Sequence, residues 1–403
     1  MSRRPEADDS RFTRNPPHDS VPRGFASGIA RLGQLIRMPV SGISVIALQT
    51  RSSTDGEPMK SGPNASFVKR LPLPILGALA ALLLGGCTRQ QFPQSTLHPT
   101  ADYSGWIQNL NLQLTFWVVI IFVLVQALLI IAVVRFRARP DTPEPKPVHG
   151  NTALEIAWTI APAIILALVA VPTVLTIWKT QSRPAGDLLT VKVVGHQWWW
   201  EFQYPDLGIT TASEMHVPVG KTVWVDIESA DVIHSFWFPS VAGKRDAVPG
   251  HTNHIWFTAD SIGTFPGQCA EFCGLSHANM RMKLMVDARD DFERWVRDQK
   301  HAPAEPDSTT LAGEGKRIYS TAACIGCHTI DGVSAGIIGP NLNHIGSRTT
   351  IAGGLFPNTP GEMGKWIADA PGRKPGAIMF PLVSLGITQE QIPAIVAYLQ
   401  SLK

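Results

Sequence analysis

The stretch QCAEFCGLSHANM, residues 268–280, sets Cys269, Glu271, Cys273, His277 and Met280 within thirteen positions. Two thiols, an imidazole and a thioether are all metal-ligand types, so the surrounding sequence must say whether they share a metal. Upstream, Pro266-Gly267 reads as a turn, and downstream MRMKLMVDA reads as a strand. The stretch is therefore a loop on a rigid scaffold, the usual place for binding residues.

The scaffold is β-rich. KTVWVDIES places Val223, Val225 and Ile227 on one face at period two, and LLTVKVVGHQWWWEFQY reads as further strand. Pro218-Val219-Gly220 and Pro249-Gly250 punctuate the pattern. A small antiparallel sandwich or barrel is expected over residues 186–297. Because side chains alternate along a strand, Trp198, Trp199 and Trp200 cannot all face its interior. Residues 298–310, polar and Pro-containing, form a linker.

Before the sandwich the chain is built for a membrane. Leu112–Val134 and Ile156–Trp178 each run 23 residues without a charge, and about 20 suffice to cross a bilayer as a helix. Pro162 and Pro172 mark candidate kinks in the second span. The connecting RFRARPDTPEPKPVHG carries Arg135, Arg137, Arg139 and Lys146. Short basic loops stay in the cytoplasm, so the hairpin begins and ends outside and everything after Trp178 is exported. A net charge of +3 and 17% charged residues offer no basic surface for nucleic acid.

Nearer the N-terminus, Lys69 and Arg70 precede the short apolar run Leu71–Gly86, broken by Pro72 and Pro74. That is the layout of a secretory signal. Its end, Leu84-Gly85-Gly86-Cys87, resembles the lipobox of bacterial lipoproteins, which implies cleavage before Cys87 and a lipid on its sulfur. Residues 59–86 are then the signal peptide, with Met59 the expected start. Residues 1–58, rich in Arg, Ser, Pro and Asp, are read as disordered or as an extension ahead of that start. Residues 87–185 hold the N-terminal segment and the hairpin.

Several chemistries compete at residues 268–280. In an oxidising space Cys269 and Cys273 can pair as a disulfide, while His277 can be a surface histidine and Met280 a core residue. Zinc accepts two thiolates and two imidazoles but gains little from a thioether. Thiolate, imidazole and thioether together are the soft set that favours copper. A second imidazole is available at His234, near a strand end.

A second motif follows the linker. Cys324-Ile325-Gly326-Cys327-His328 reads as a c-type haem attachment, with both sulfurs bonded to the porphyrin and His328 on the iron. A redox dithiol is the competing reading. LAGEGKRIYSTAAC looks like a leading helix, and TQEQIPAIVAYLQSLK like a closing one, with Thr388 as N-cap and Gln391 three residues on. Of five cysteines, one is read as lipidated, two as metal ligands and two as haem-bound.

These motifs resemble subunit II of caa3-type cytochrome c oxidases, in which a cytochrome c domain is fused at the C-terminus. The likeness covers residues 87–403. It implies a multidomain membrane protein with a two-helix transmembrane hairpin, an all-β cupredoxin-like domain and, over residues 311–403, an all-α cytochrome c domain. By this likeness Cys269 and Cys273 bridge the two metals of a dinuclear copper centre, CuA. His234 and Met280 complete one copper; His277 and the backbone carbonyl of Glu271 complete the other. The Glu271 side chain faces a magnesium shared with the catalytic subunit. Trp198 is where electrons enter, on a surface-lying aromatic strip, GHQWWW, in which Trp199 replaces the more usual Tyr. Glu155, in LEIAW, lies near the mouth of a proton pathway. KRDAVPGHTNH carries His251 where Arg is usual. In the haem domain, KPGAIMFP resembles the loop that supplies Met379 as second axial ligand, with Met363 the competitor. IGPNL resembles the loop whose Pro340 carbonyl holds the haem histidine.

The implied activity is electron transfer from a cytochrome c donor to haem c, to CuA and on to haem a of subunit I. That partner, with haem a3 and CuB and further oxidase subunits, reduces O2 and pumps protons. The implied place is the bacterial inner membrane, with both redox domains on its outer side. Rival readings are a CuA-bearing nitric oxide reductase subunit and a lipid-anchored copper-delivery protein.

Overall fold

The computed structural model describes residues 94–137, 146, 147 and 149–403. Met59, the signal segment, Cys87 and part of the basic loop lie outside them.

Helix α1 spans Asp102–Arg135 and α2 spans Thr152–Gln181. Both are longer than their apolar runs, because each continues into polar residues at its ends. Helix α2 is unbroken through Pro162 and Pro172. The side chains of Phe116, Val133, Trp158 and Leu166 are exposed along the pair, a costly surface in water that a bilayer would cover. At the end of the pair next to the sandwich, the Lys179 ammonium lies 3.7 Å from the Trp106 ring.

The sandwich follows. Its first sheet contains β1 (Leu189–His196), β2 (Trp199–Tyr204), β3 (Ile209–Ala212), β5 (Thr222–Ser229) and β8 (Asn253–Thr258), in the order β3-β2-β1-β5-β8. The second contains β4 (Glu214–Pro218), β9 (Gly263–Gln268) and β10 (Arg281–Asp287), in the order β4-β10-β9. A short pair, β6 (His234–Phe236) and β7 (Arg245–Ala247), lies beside them. Val191, Val193, Val223, Val225 and Ile227 are fully buried with Trp200, Phe202, Phe257 and Leu284. The sheets are mixed rather than antiparallel: β1 pairs with β5 in parallel, and β10 with β4. Strand β4 leaves the first sheet for the second, so the chain returns to the edge of β1 running the same way. Alternation fixes which face of a strand is apolar and says nothing about its neighbour's direction.

Helix α3 (Arg289–Lys300) extends into residues expected as linker. The C-terminal domain is helical, with α4 (Leu311–Thr321), α5 (Pro360–Ala368), α6 (Ala370–Arg373) and α7 (Ile392–Ser401), plus two-residue strand pairs. Helices α4 and α7 pack together, with the rings of Tyr319 and Tyr398 5.6 Å apart. The start of the closing helix is fixed as its sequence requires: the Thr388 N–H donates to Gln391 Oε1 at 2.9 Å.

The three adjacent indoles are all buried, Trp198 at 7%, Trp199 at 9% and Trp200 at 0% exposure. Trp200 enters the sandwich core. Trp199 does face outward, as alternation requires, but the C-terminal domain covers it.

Candidate metal and haem sites

Two loops build the first site. Strand β6 begins at His234, and the β9–β10 connection carries Cys269 to Met280. The connection is closed at its base by Cys269 N–H donating to the Met280 carbonyl at 3.0 Å, and joined to β6 by Ala270 N–H donating to the Ser235 carbonyl at 3.0 Å. A short 3-10 turn, His277–Asn279, returns the chain so that Met280 points inward.

These bonds bring six donors together. The Cys269 and Cys273 sulfurs are 3.8 Å apart, too far for the 2.05 Å bond of a disulfide. Cys269 Sγ lies 3.9 Å from His234 Nδ1 and 3.2 Å from the Glu271 carbonyl. Cys273 Sγ lies 3.6 Å from His277 Nδ1 and 3.9 Å from Met280 Sδ. Both cysteines, His234 and Met280 are buried, while the Glu271 side chain is exposed. His234 Nε2 is held by Asp231 at 2.7 Å, which turns Nδ1 toward the sulfurs; such an outer partner is usual for a ligating histidine. Burial alone would depress the His234 pKa, but the Asp231 carboxylate and the Cys269 sulfur raise it. The two thiols share a charge. Hydrogen bonding from Cys273 favours the Cys269 thiolate, and that thiolate opposes ionisation of Cys273. A multiply charged metal removes that opposition. The donor set fits copper: soft, buried and saturated by the protein.

Trp198 is bound to this loop, since its Nε1–H donates to the Cys273 carbonyl at 2.9 Å. It is buried rather than on an open surface, with Gly376 of the C-terminal domain against its ring and Lys374 on its carbonyl.

The second site is a crevice lined by His328, Pro340, Arg348, Met363 and Met379. The 3-10 turn Ala323–Gly326 presents Cys324 and Cys327, and His328 follows. His328 Nδ1 bonds the Pro340 carbonyl at 2.8 Å, which frees Nε2 for a metal. Burial lowers the His328 pKa against that carbonyl's pull, favouring the neutral, ligating form. Met379 and Met363 both line the crevice; the Met363 sulfur also accepts a long hydrogen bond from Gln400 at 3.7 Å. Arg348, which the sequence reading missed, is half-buried there, and its buried Nε has no hydrogen-bond partner among the described residues. An unpartnered guanidinium N–H lining the same crevice as His328 fits a porphyrin carboxylate. Nothing in GSRTT marks that arginine as part of a site.

Glu155 accepts the Asn151 N–H at 3.3 Å while Asn151 Oδ1 accepts from Leu154 N–H at 3.2 Å. The pair caps α2, and the Glu155 side chain is exposed. His251 is also exposed, in the turn before β8.

Known families match this layout in order. Residues 90–175 match "Cytochrome C oxidase subunit II, transmembrane domain", residues 208–288 match its "periplasmic domain", and residues 312–403 match "Cytochrome c". Cytochrome c oxidase subunit 2 of Alkalihalophilus pseudofirmus is 38% identical, the match covering 83% of this chain and 96% of the relative. The chain belongs to the cytochrome c oxidase subunit II family. The corresponding proteins of Bacillus sp. strain PS3 and Bacillus subtilis are 37% and 33% identical, covering 81% and 84% of this chain and 96% and 99% of the relatives. This subunit II therefore carries a fused cytochrome c domain and is an electron-transferring membrane subunit of a terminal oxidase, an oxidoreductase. The family implies copper in the sandwich domain and haem in the C-terminal domain, with subunit I and cytochrome c as partners.

Proposed function

We propose that this chain is the subunit through which electrons enter an aa3/caa3-type oxidase, taking them from a cytochrome c donor for delivery to haem a of subunit I. The observation that carries the reading is the convergence of four donors on the unpaired Cys269 and Cys273 sulfurs, in the loop to which Trp198 is bonded. In this reading the two sulfurs would be shared by both metals of a dinuclear centre. His234 and Met280 hold one copper, and His277 with the Glu271 carbonyl holds the other. The exposed Glu271 carboxylate is free to meet a magnesium shared with subunit I. Cys324, Cys327, His328 and Met379 would hold haem c, and Arg348 would meet one of its carboxylates. Bound copper and haem supply one-electron chemistry.

The chain's own part is to keep that chemistry cheap in rearrangement. The buried sulfurs, and His234 held by Asp231 behind it, leave little geometry to change when charge arrives. Trp198 ties the haem side to the copper loop through the Cys273 carbonyl. Glu155 stands at the cytoplasmic end of α2 for proton uptake with subunit I, which reduces O2 and pumps protons. The redox domains then lie outside a bacterial inner membrane, anchored by the hairpin and by a lipid on Cys87.

Low-temperature EPR and optical spectra of the full-length protein test this. One unpaired electron shared by two coppers, beside a c-type haem band, is expected. Hyperfine structure from a single copper, or bound zinc, overturns the copper assignment.

A further inference from the structure

Trp199 lies on the outward face of β2, where a solvent-facing residue is expected, yet it is only 9% exposed. One side of its indole stacks on His196, with centroids 4.2 Å apart and planes 6° from parallel. It also lines the haem crevice, together with Ala212 and Ser213 of the sandwich and with His328 and Met379 of the C-terminal domain. The crevice is thus walled by two domains.

Two buried ionisable side chains hold those domains together, one from each. Glu214, at the start of β4, is 2% exposed. Its carboxylate accepts from the Thr349 N–H at 3.0 Å, from Thr349 Oγ1 at 2.6 Å and from Thr350 Oγ1 at 2.6 Å. Lys374, 3% exposed, donates to the Trp198 carbonyl at 2.6 Å and the Ala352 carbonyl at 2.7 Å. Arg281 N–H, next to Met280, donates to the Gly353 carbonyl at 2.9 Å, and Ser276 Oγ donates to the Pro375 carbonyl at 2.6 Å. The fit is close. A Cβ on Gly376 would lie 2.5 Å from the Trp198 ring, at a φ of +83° that already favours glycine.

We propose that Trp199 is a haem-contact residue supplied by the copper domain, and that Glu214 and Lys374 are the positioning residues that keep the two-domain crevice closed. Neighbouring residues of one strand end then face different sites: Trp199 the haem, Trp198 the copper loop. A single-domain crevice would leave a haem edge open to solvent on this side; here an indole occupies it. This rests on assigning haem to Cys324, Cys327 and His328.

The test uses the full-length protein in detergent, comparing wild type with Trp199→Leu, Trp199→Phe and Lys374→Met. Haem content is measured first, then the rate at which ascorbate reduces the haem, then the haem-to-copper electron-transfer rate after a flash. With haem loaded, Trp199→Leu is expected to speed ascorbate reduction and slow internal transfer, each by about tenfold or more, and Trp199→Phe less. Lys374→Met leaves the crevice lining intact but loosens the docking, so it shifts both rates the same way. Haem-loaded Trp199→Leu with wild-type values for both rates overturns the contact role. Wild-type values for Lys374→Met overturn the clasp. Absence of covalent haem from the wild type overturns the underlying assignment instead.

Discussion

Replacing Glu214 by glutamine keeps its shape and removes its charge, at a site where three donors converge on one carboxylate. The amide retains a single acceptor oxygen and turns an NH2 toward groups that themselves donate. A hydrogen bond to a charged acceptor contributes about 1.5–3 kcal/mol, and an unmade buried one costs a similar amount, so a net loss of about 2–4 kcal/mol is expected. Arg348 adds to it. Desolvation pulls the pKa of that guanidinium down to about 10, and the Glu214 charge supports its charged form. At 1.4 kcal/mol per factor of ten, the undocked fraction of the haem domain should rise about thirty- to seven-hundredfold. Hydrogen exchange reads this locally. The Thr349 amide, bonded to Glu214, and the Arg281 amide, bonded to Gly353, should exchange faster by that factor. Amides of β5, deep in the sandwich, should not change. If Arg281 keeps its wild-type protection, the carboxylate is not what joins the domains and the reasoning fails.

Met280→Leu is a volume-conserving swap at a fully buried position, so folding should survive with a loss below about 1.5 kcal/mol. The copper potential should move upward, measured by redox titration; an unchanged potential removes Met280 from the ligand set. The proposed dinuclear centre predicts that Cys273→Ser cuts bound copper from two per chain to one or none, by metal analysis; retention of two shows that the sulfur does not bridge. Lys192→Met tests a pH dependence. Lys192 Nζ lies 2.9 Å from Glu228 Oε2, and chiefly this bond holds the Glu228 pKa below its usual 4.5. A depressed carboxyl pKa stabilises the fold above the unfolded value and ceases to do so as pH falls through the folded one. The pair is partly exposed, so the variant should lose at most about 1 kcal/mol at pH 7. The difference in Tm from wild type should vanish once the solution is acidic enough to protonate Glu228. A gap that persists there assigns the effect to lost packing.

The sequence by itself determined the parts whose chemistry is local. Cys269, Cys273, His277 and Met280 lie within one short loop closed by its own backbone bonds, so their spacing already states the donor set. The haem motif and its Pro340 brace are likewise near neighbours in the chain, and the spans declare themselves by length and lack of charge. Tertiary structure alone decided the rest. Glu214 and Thr349, 135 residues apart, carry no periodic mark that pairs them. Parallel strand partners cannot be read from alternation, which orders faces and leaves direction open. Nor can Trp199's burial: a residue's own strand tells it to point outward, and only the arrival of a second domain decides whether outward means water or haem.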